Sequence, residues 1–469
     1  MTAEKRAISP FWKTSVGFGL YLAWMMIGIT PSVFTGPVAK ALMYFNNSEL
    51  IGRSVGLLFM IVLGFWAFRK GDTLRRKPWV VCSAILMCFG TLTVYLQVIA
   101  GIPSHPLLSF SLLSVAASSV FIALWGEQLC FLTSKEALQC ISLAHIVGFL
   151  SVLLISLAPS ALQGGLHIAA PALSGILLFT LSSQPSGMQK TADTPFFTPS
   201  LIKTLLGIGV FGIIMQFLFQ FTEGKTANPN ELLWLIAGLA VCAVFLISSL
   251  LLRKEIQVSS LSKWVLPLFV IAEFLIFAFD ADQQPIEVFT IGCAWMFFRV
   301  FYFIAWRAAA LASKLPNLCV LAVGQALLTC GCFFGGALYT LEPERFFSEF
   351  SILAGICVFA VLASLLFFDS RQPHEQPLAN RHTFNAEDSA LCEHCIDVAT
   401  ARYGLTSRER DIALYVIRDE DNAAIRDDLV VSMNTLRSHL RNLYKKTGVH
   451  SREELLLLLR SLMDEPTPR

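Results

Sequence analysis

The sequence predicts an all-α protein in two parts: a twelve-helix transmembrane bundle, divided six and six, followed by a small helix-turn-helix domain. Three observations carry this expectation. Apolar residues make up 55% of the chain and charged residues only 14%, well below the roughly 25% charged residues of a soluble domain. The polarity is unevenly spread, with long apolar runs between residues 14 and 368 and an ordinary soluble composition from 369 to 469. Within that soluble tail, Leu and Ile recur at helical spacing beside a band of Lys and Arg. The formal net charge of +2 says little, because it averages two unlike halves.

A helix needs about 20 mostly apolar residues to cross the hydrocarbon core. Runs of that kind fall at 14–34, 50–68, 79–99, 108–132, 141–159, 167–183, 201–222, 232–252, 264–280, 288–306, 318–341 and 350–368. The first, Thr14 to Phe34, ends without a small-x-small cleavage site and reads as a span, not as a cleaved leader. Lys and Arg set the orientation. With both termini inside, the inner loops carry Lys5, Arg6, Lys13, Arg69, Lys70, Arg75, Arg76, Lys77, Lys135, Lys190, Arg253, Lys254, Lys263, Arg307 and Lys314. The outer loops carry Lys40, Lys225 and Arg345, with Arg53 near a boundary. Acidic residues gather on that outer side, among them Glu223, Glu231, Asp280, Asp282, Glu287, Glu342 and Glu344. Both termini are therefore expected in the cytoplasm, with the chain in the inner cell membrane. Most of the twelve cysteines lie inside apolar runs, the pattern of reduced thiols rather than of a disulfide framework.

The hydrophilic stretch Gln184 to Ser200 divides the spans six and six. That division resembles the major facilitator superfamily, in which two six-helix halves enclose a central cavity. The family often carries a Gly-x-x-x-Asp-Arg-x-Gly-Arg signature between its second and third spans. Gly64, Arg69 and Gly71 match it, Phe68 stands where the acidic residue belongs, and further basic residues are displaced to Arg75 and Arg76.

The tail is the most specific stretch. Thr406 and Glu409 have the spacing of a capping box, opening a helix with Ile412, Val416 and Ile417 inward. Asp419 to Asn422 breaks it, a short second helix carries Ile425 and Leu429, and Ser432 caps a third helix running to about Lys446. Leu436, Leu440 and Leu443 give the third helix an inward stripe. Arg437, Ser438 and Arg441, with Asn434 and Lys445 beside them, form its other face. Between Ser432 and Arg452 there is no Asp or Glu, whereas Asp419, Glu420, Asp421, Asp427 and Asp428 lie upstream. A helix that enters a DNA groove requires this segregation, with cations toward the phosphates and anions held away.

These residues resemble the LuxR-type helix-turn-helix family, the GerE/NarL-like output domain, over roughly residues 403–463. Leu405, Thr406, Arg408, Glu409, Asn422, Ile425, Leu429, Ser432, Thr435, His439, Lys446, Gly448, Val449 and Arg452 stand where the family has those residues. Asp419 replaces the usual turn Gly and Arg426 a small packing Ala. The resemblance implies Arg437, Ser438 and Arg441 as base-edge readers in the major groove and Thr435, Lys445 and Lys446 as phosphate contacts. It also implies double-stranded promoter DNA as partner and a homodimer paired through the final helix, Arg452 to Met463 with Leu455, Leu456, Leu458, Leu459 and Leu462. The whole arrangement resembles membrane-anchored LuxR-type regulators with a transporter-like N-terminal half, whose bundle detects a small molecule. A solvated protein-interaction module is the bland alternative for the tail.

Ionisable residues inside spans are candidate ligand contacts, because charge is costly in lipid. Glu127, Glu273 and Arg299 qualify, and Trp295, Phe298, Tyr302 and Trp306 flank Arg299 at helical spacing. An Arg299–Glu273 staple between helices is the structural alternative, and His145 reads as a satisfied core histidine. Cys392-Glu393-His394-Cys395 is a single CxxC with no second pair nearby, so a connecting helix is expected there rather than a zinc site. No phosphate loop, nucleophile constellation or carboxylate pair suggests an enzyme or a cofactor. The expected organisation is a sensor bundle over 1–368, a linker with a connecting helix over 369–402 and the DNA-binding domain over 403–469. A secondary transporter with a regulatory DNA-binding tail is the competing function.

Overall fold

The computed structural model describes residues 3–34, 38–42, 49–71, 76–100, 104–182, 199–225, 231–251, 284–313, 315–341, 386–417, 433–449 and 451–462, together with 355, 425, 426 and 429. Among these residues every regular element is helical. The chain falls into two compact units, Met1–Glu375 and Gln376–Arg469.

Among the described residues the first unit contains ten long helices: α1 (Ala3–Ile29), α2 (Glu49–Lys70), α3 (Arg76–Ala100), α4 (Ser104–Leu129), α5 (Ser134–Leu157), α6 (Ser160–Leu181), α7 (Pro199–Lys225), α8 (Glu231–Leu251), α9 (Gln284–Leu311) and α10 (Asn317–Thr340). They coincide with ten of the twelve expected spans; the spans at 264–280 and 350–368 lie outside the described residues. Seven of the ten, α3 to α6 and α8 to α10, are long and apolar enough by length and composition to cross a membrane. The chain is thus a multi-pass membrane protein, and its lipid-compatible surface is visible on α2, where Leu58, Ile61, Val62, Phe65, Trp66 and Phe68 are exposed.

Local chemistry sets the ends and hides the polar groups. Thr133 and Glu136 form a capping box at the start of α5, and Pro159 and Pro316 precede α6 and α10. Hydroxyls within the spans donate to carbonyls four residues back, as Thr14 does to Pro10, Thr91 to Met87 and Thr329 to Gln325. That pairing matters where no water can satisfy them. In the first half α1 packs on α5 and α6, α3 on α4 and α6, and α2 on α4. In the second half α7 packs on α10 and α8 on α9. The α7–α10 pair is in backbone contact, since a Cβ at Gly331 would run into the carbonyl oxygen of Gly209. Two seams join the halves, α2 against α10 and α5 against α8. Numbered as spans these are 2 with 11 and 5 with 8, which exchange when every number is shifted by six.

The second unit has four helices among the described residues: α11 (Ala386–Tyr403), α12 (Ser407–Ile417), α13 (Met433–Thr447) and α14 (Arg452–Ser461). Its core is its own, built from Cys395, Ile396, Val398 and Ala399 of α11, Ile412, Ala413, Val416 and Ile417 of α12, Leu436, Leu440 and Leu443 of α13, and Leu455 and Leu459 of α14, with Leu462 just beyond. Gly404 (φ 62°) and Gly448 (φ 72°) end α11 and α13 in the left-handed conformation that a side chain would oppose.

Candidate nucleic-acid interface and intramembrane polar groups

The third helix of the tail, α13, shows the two faces that its sequence requires. Leu436, Leu440 and Leu443 are buried, whereas Asn434, Thr435, Arg437, Ser438, Arg441, Lys445 and Lys446 are exposed. Arg437 and Arg441 are four residues apart, hence about one turn apart on one face. Of the second helix, Ile425 is buried in the core and accepts at its carbonyl from the N–H of Leu429; the cap at Ser432 and the acidic break at 419–422 lie outside the described residues.

The capping box forms as expected. The N–H of Thr406 donates to Glu409 Oε2 at 2.8 Å, and the N–H of Glu409 donates to Thr406 Oγ1 at 3.3 Å. Glu409 does more than cap, because Lys446 Nζ donates to the same Oε2 at 2.7 Å and to the carbonyl of Gly404 at 2.8 Å. Lys446 thereby ties the end of α13 to the start of α12. Lys446, expected at a phosphate, here has its ammonium on a carboxylate 37 residues upstream, a partner that the linear sequence conceals. Burial pushes the Glu409 carboxyl up, and the hydrogen bonds from Lys446 and Thr406 outweigh it, so the net shift is below the usual glutamate value. The leucines of α14 divide as well. Leu455, Leu459 and Leu462 are core residues, and Leu456 and Leu458 remain half-buried.

In α11, Cys395 is fully buried and its Sγ donates to the carbonyl of Leu459 at 3.0 Å. Among the described residues no cluster of three or more His, Cys, Asp or Glu side chains could hold a metal ion. The segment is a helix, in keeping with its apolar spacing, although Arg402 is exposed and not part of the buried face.

Within the bundle, Glu127, expected as a ligand contact, is held in a nearly buried ion pair. Its carboxylate accepts from Arg76 Nη2 at 3.0 Å and Nε at 3.3 Å, with side-chain exposures of 4% and 11% for Glu127 and Arg76. Arg307, assigned to a loop by sequence, is 1% exposed on α9, and its Nε and Nη2 donate to the carbonyls of Leu129 and Leu132 at 2.9 and 2.7 Å. It thus gives a second donor to the carbonyl of Leu129, the last residue of α4, and a donor to that of Leu132 in the turn beyond it. Arg299 is 9% exposed, with its guanidinium 4.8 Å over the ring of Trp295 and Nη2 3.2 Å from Met25 Sδ. Trp295 meets Trp234 at 4.7 Å, while Tyr302 and Trp306 stack on each other at 5.3 Å. Glu273, and with it the suggested Arg299–Glu273 staple, lies outside the described residues.

Residues 404–459 match the profile of the GerE family, described as bacterial regulatory proteins, luxR family. The C-terminal domain is a LuxR-type helix-turn-helix. That match takes in α12, α13 and most of α14, so the exposed basic face belongs to the family's segment and α11 precedes it. The LuxR-type domain marks the tail as a DNA-binding module of transcription regulation. No curated protein sequence matches the chain significantly.

Solved structures match the bundle beside it. The human organic anion transporter MFSD10 aligns with a TM-score of 0.56 and 11% identity, covering 78% of this chain and 100% of its own. A bacterial homologue of the iron transporter ferroportin, in its outward-facing state, gives 0.53 and 16%, covering 77% and 100%. The proton:xylose symporter XylE gives 0.52 and 14%, covering 78% and 95%. At such identities the likeness shows a fold, the major-facilitator fold, and nothing of cargo. Neither this fold nor the LuxR family is typically enzymatic.

The buried and exposed faces of α13 are legible in the sequence, whereas three long-range pairings are not: Lys446 with Glu409, Arg76 with Glu127, and Arg307 with the end of α4. Only Arg307 left a trace, since the apolar run continues past it through Ala308, Ala309, Ala310 and Leu311.

Proposed function

We propose that the chain is a membrane-embedded one-component transcription regulator, sensing a small molecule through the bundle over 1–368 and binding promoter DNA through 403–469, with 369–402 as linker. The observation that carries this reading is a LuxR-type domain and a major-facilitator bundle in one chain. Arg437, Ser438 and Arg441 read base edges with Asn434 beside them, while Thr435, Lys445 and Lys446 position the phosphates. The Lys and Arg distribution supports cytoplasmic termini, where the tail meets DNA in a cell membrane protein. A homodimer on DNA would pair through Leu456 and Leu458 of α14, because Leu455, Leu459 and Leu462 are occupied by the core.

The test is chromatin immunoprecipitation of the full-length protein combined with transcript comparison in a deletion strain. Bound sites upstream of genes whose transcripts change support the reading; absence of bound sites sinks it in favour of an interaction module. The transporter reading draws on the fold neighbours, an organic anion transporter and a proton:xylose symporter among them. Against it, the segment at the end of α2 lacks the acidic member of the family signature, and Phe68 in its place is exposed. Gradient-driven, saturable flux in proteoliposomes would favour transport.

A further inference from the structure

Trp306 and Arg307, neighbours on α9, engage the last turn of α4, which belongs to the other half of the bundle. Trp306 fills a slot between two glycines. A Cβ at Gly126 of α4 would come 2.8 Å from the indole ring, and one at Gly324 of α10 would come 2.5 Å from its Nε1. Arg307 reaches past the slot to the carbonyls of Leu129 and Leu132 at 2.9 and 2.7 Å. The polar bonds divide unevenly across this seam. Trp306 Nε1 donates to the carbonyl of Leu321 at 3.0 Å, within its own half. Glu127, beside Gly126, is paired with Arg76, again within one half. The carbonyl of Leu129 already accepts from the N–H of Leu132 at 3.3 Å, as those of Glu127 and Gln128 accept from Cys130 and Phe131. The end of α4 therefore keeps its turn bonds if Arg307 lets go, and a long cationic side chain near the end of a span can turn to the aqueous interface instead.

We propose that Trp306 and Arg307 form a releasable latch between the halves, closed in this structure, which opens by parting α9 from the end of α4 while each half keeps its internal pairs. On the sensor reading above, on which that use rests, the latch is what the ligand shifts. Two neighbouring features let its state be read and set. Cys130, in the turn between Leu129 and Leu132, is fully buried while the latch is closed. Gly64 of α2 and Ala322 of α10 face each other across the adjoining seam, and a Cβ on Gly64 would stand 3.5 Å from that of Ala322, within the span of a disulfide. A cross-link there would hold the two halves together independently of Arg307.

The test follows alkylation of Cys130 by N-ethylmaleimide in the full-length protein in nanodiscs, read peptide by peptide by mass spectrometry. Cys130 should react slowly in the wild type and about tenfold faster in Arg307→Gln, as the loss of one bond to a charged group gives, with Arg307→Lys between them. Gly126→Val, which fills the slot and removes no hydrogen-bonding group, should speed the reaction too. Oxidising the pair Gly64→Cys and Ala322→Cys in the Arg307→Gln chain should slow Cys130 again, and reductant should release it; a chain that had merely lost its fold would not recover. Cys130 as slow in Arg307→Gln or Gly126→Val as in the wild type, or fast whether the cross-link is closed or open, overturns the latch. A promoter reporter run on Arg307→Gln separates the two claims. Faster Cys130 with an unmoved reporter defeats the sensor use and leaves the latch standing. A moved reporter with Cys130 unchanged does the reverse.

Discussion

Replacing Lys446 by alanine should cost the DNA-binding unit stability as well as phosphate affinity. The variant deletes two hydrogen bonds, to Glu409 Oε2 at 2.7 Å and to the carbonyl of Gly404 at 2.8 Å. Bonds to a charged group contribute about 1.5–3 kcal/mol. The Lys446 side chain is 34% exposed, so water compensates part of the loss, as it does for surface pairs. The carboxylate keeps its bonds from Thr406 and stays buried. The expected cost is therefore about 1–2 kcal/mol, or a fall in Tm of about 5–15 °C for a domain of this size. Because the Glu409 pKa is depressed in the folded state, its contribution to stability is present above the ordinary glutamate pKa. It is lost as pH falls through the depressed value. Lys446→Ala should flatten that acid limb. Thermal melts of the soluble unit from pH 3 to 7, with and without the substitution, provide the measurement. An unchanged melting temperature, together with a salt slope of DNA binding reduced by about 1, would refute the scaffold assignment and leave Lys446 to the phosphates alone.

Three further outcomes are expected. Arg441→Ala should weaken binding to the cognate site by about 1–3 kcal/mol more than to random DNA, read by competition binding; equal losses on both would refute the helix register. Lys445→Ala, in the same assay, should weaken both DNAs alike and lower the salt slope by about 1. In the bundle, Glu127→Ala removes the carboxylate paired with the nearly buried Arg76 and should cost about 3–5 kcal/mol, read as lost thermal stability in detergent, with Arg76→Ala in the same chain recovering part of it. A Glu127→Ala protein that melts normally but no longer answers ligand would make Glu127 a ligand residue after all.

What could be read from sequence was whatever repeats locally. Span positions depend on runs of about 20 residues, and the described helices match them. The faces of α13 depend on spacing within 15 residues, and Leu436, Leu440 and Leu443 turn inward as that spacing requires. The Thr406–Glu409 box is likewise a three-residue matter. Pairings across the fold have no such signature. Glu127 resembled a ligand group because Arg76 is 51 positions away, and Arg307 resembled a loop cation because its acceptors are backbone carbonyls more than 170 positions away. The flanking aromatics of Arg299 were legible as a periodic set, but only the fold shows that Trp295 lies over the guanidinium while Tyr302 and Trp306 stack on each other.

Helix α11 changes what counts as the DNA-binding domain. The LuxR profile begins at Gly404, yet Cys395, Ile396, Val398 and Ala399 are 0–2% exposed within the same core that seats α13. A fragment cut at Gly404 would leave Ile412, Val416 and Leu459 facing water and would lose the αL closure at that glycine. A self-sufficient piece therefore includes α11. Force applied to α11 itself would enter the same hydrophobic packing that seats α13.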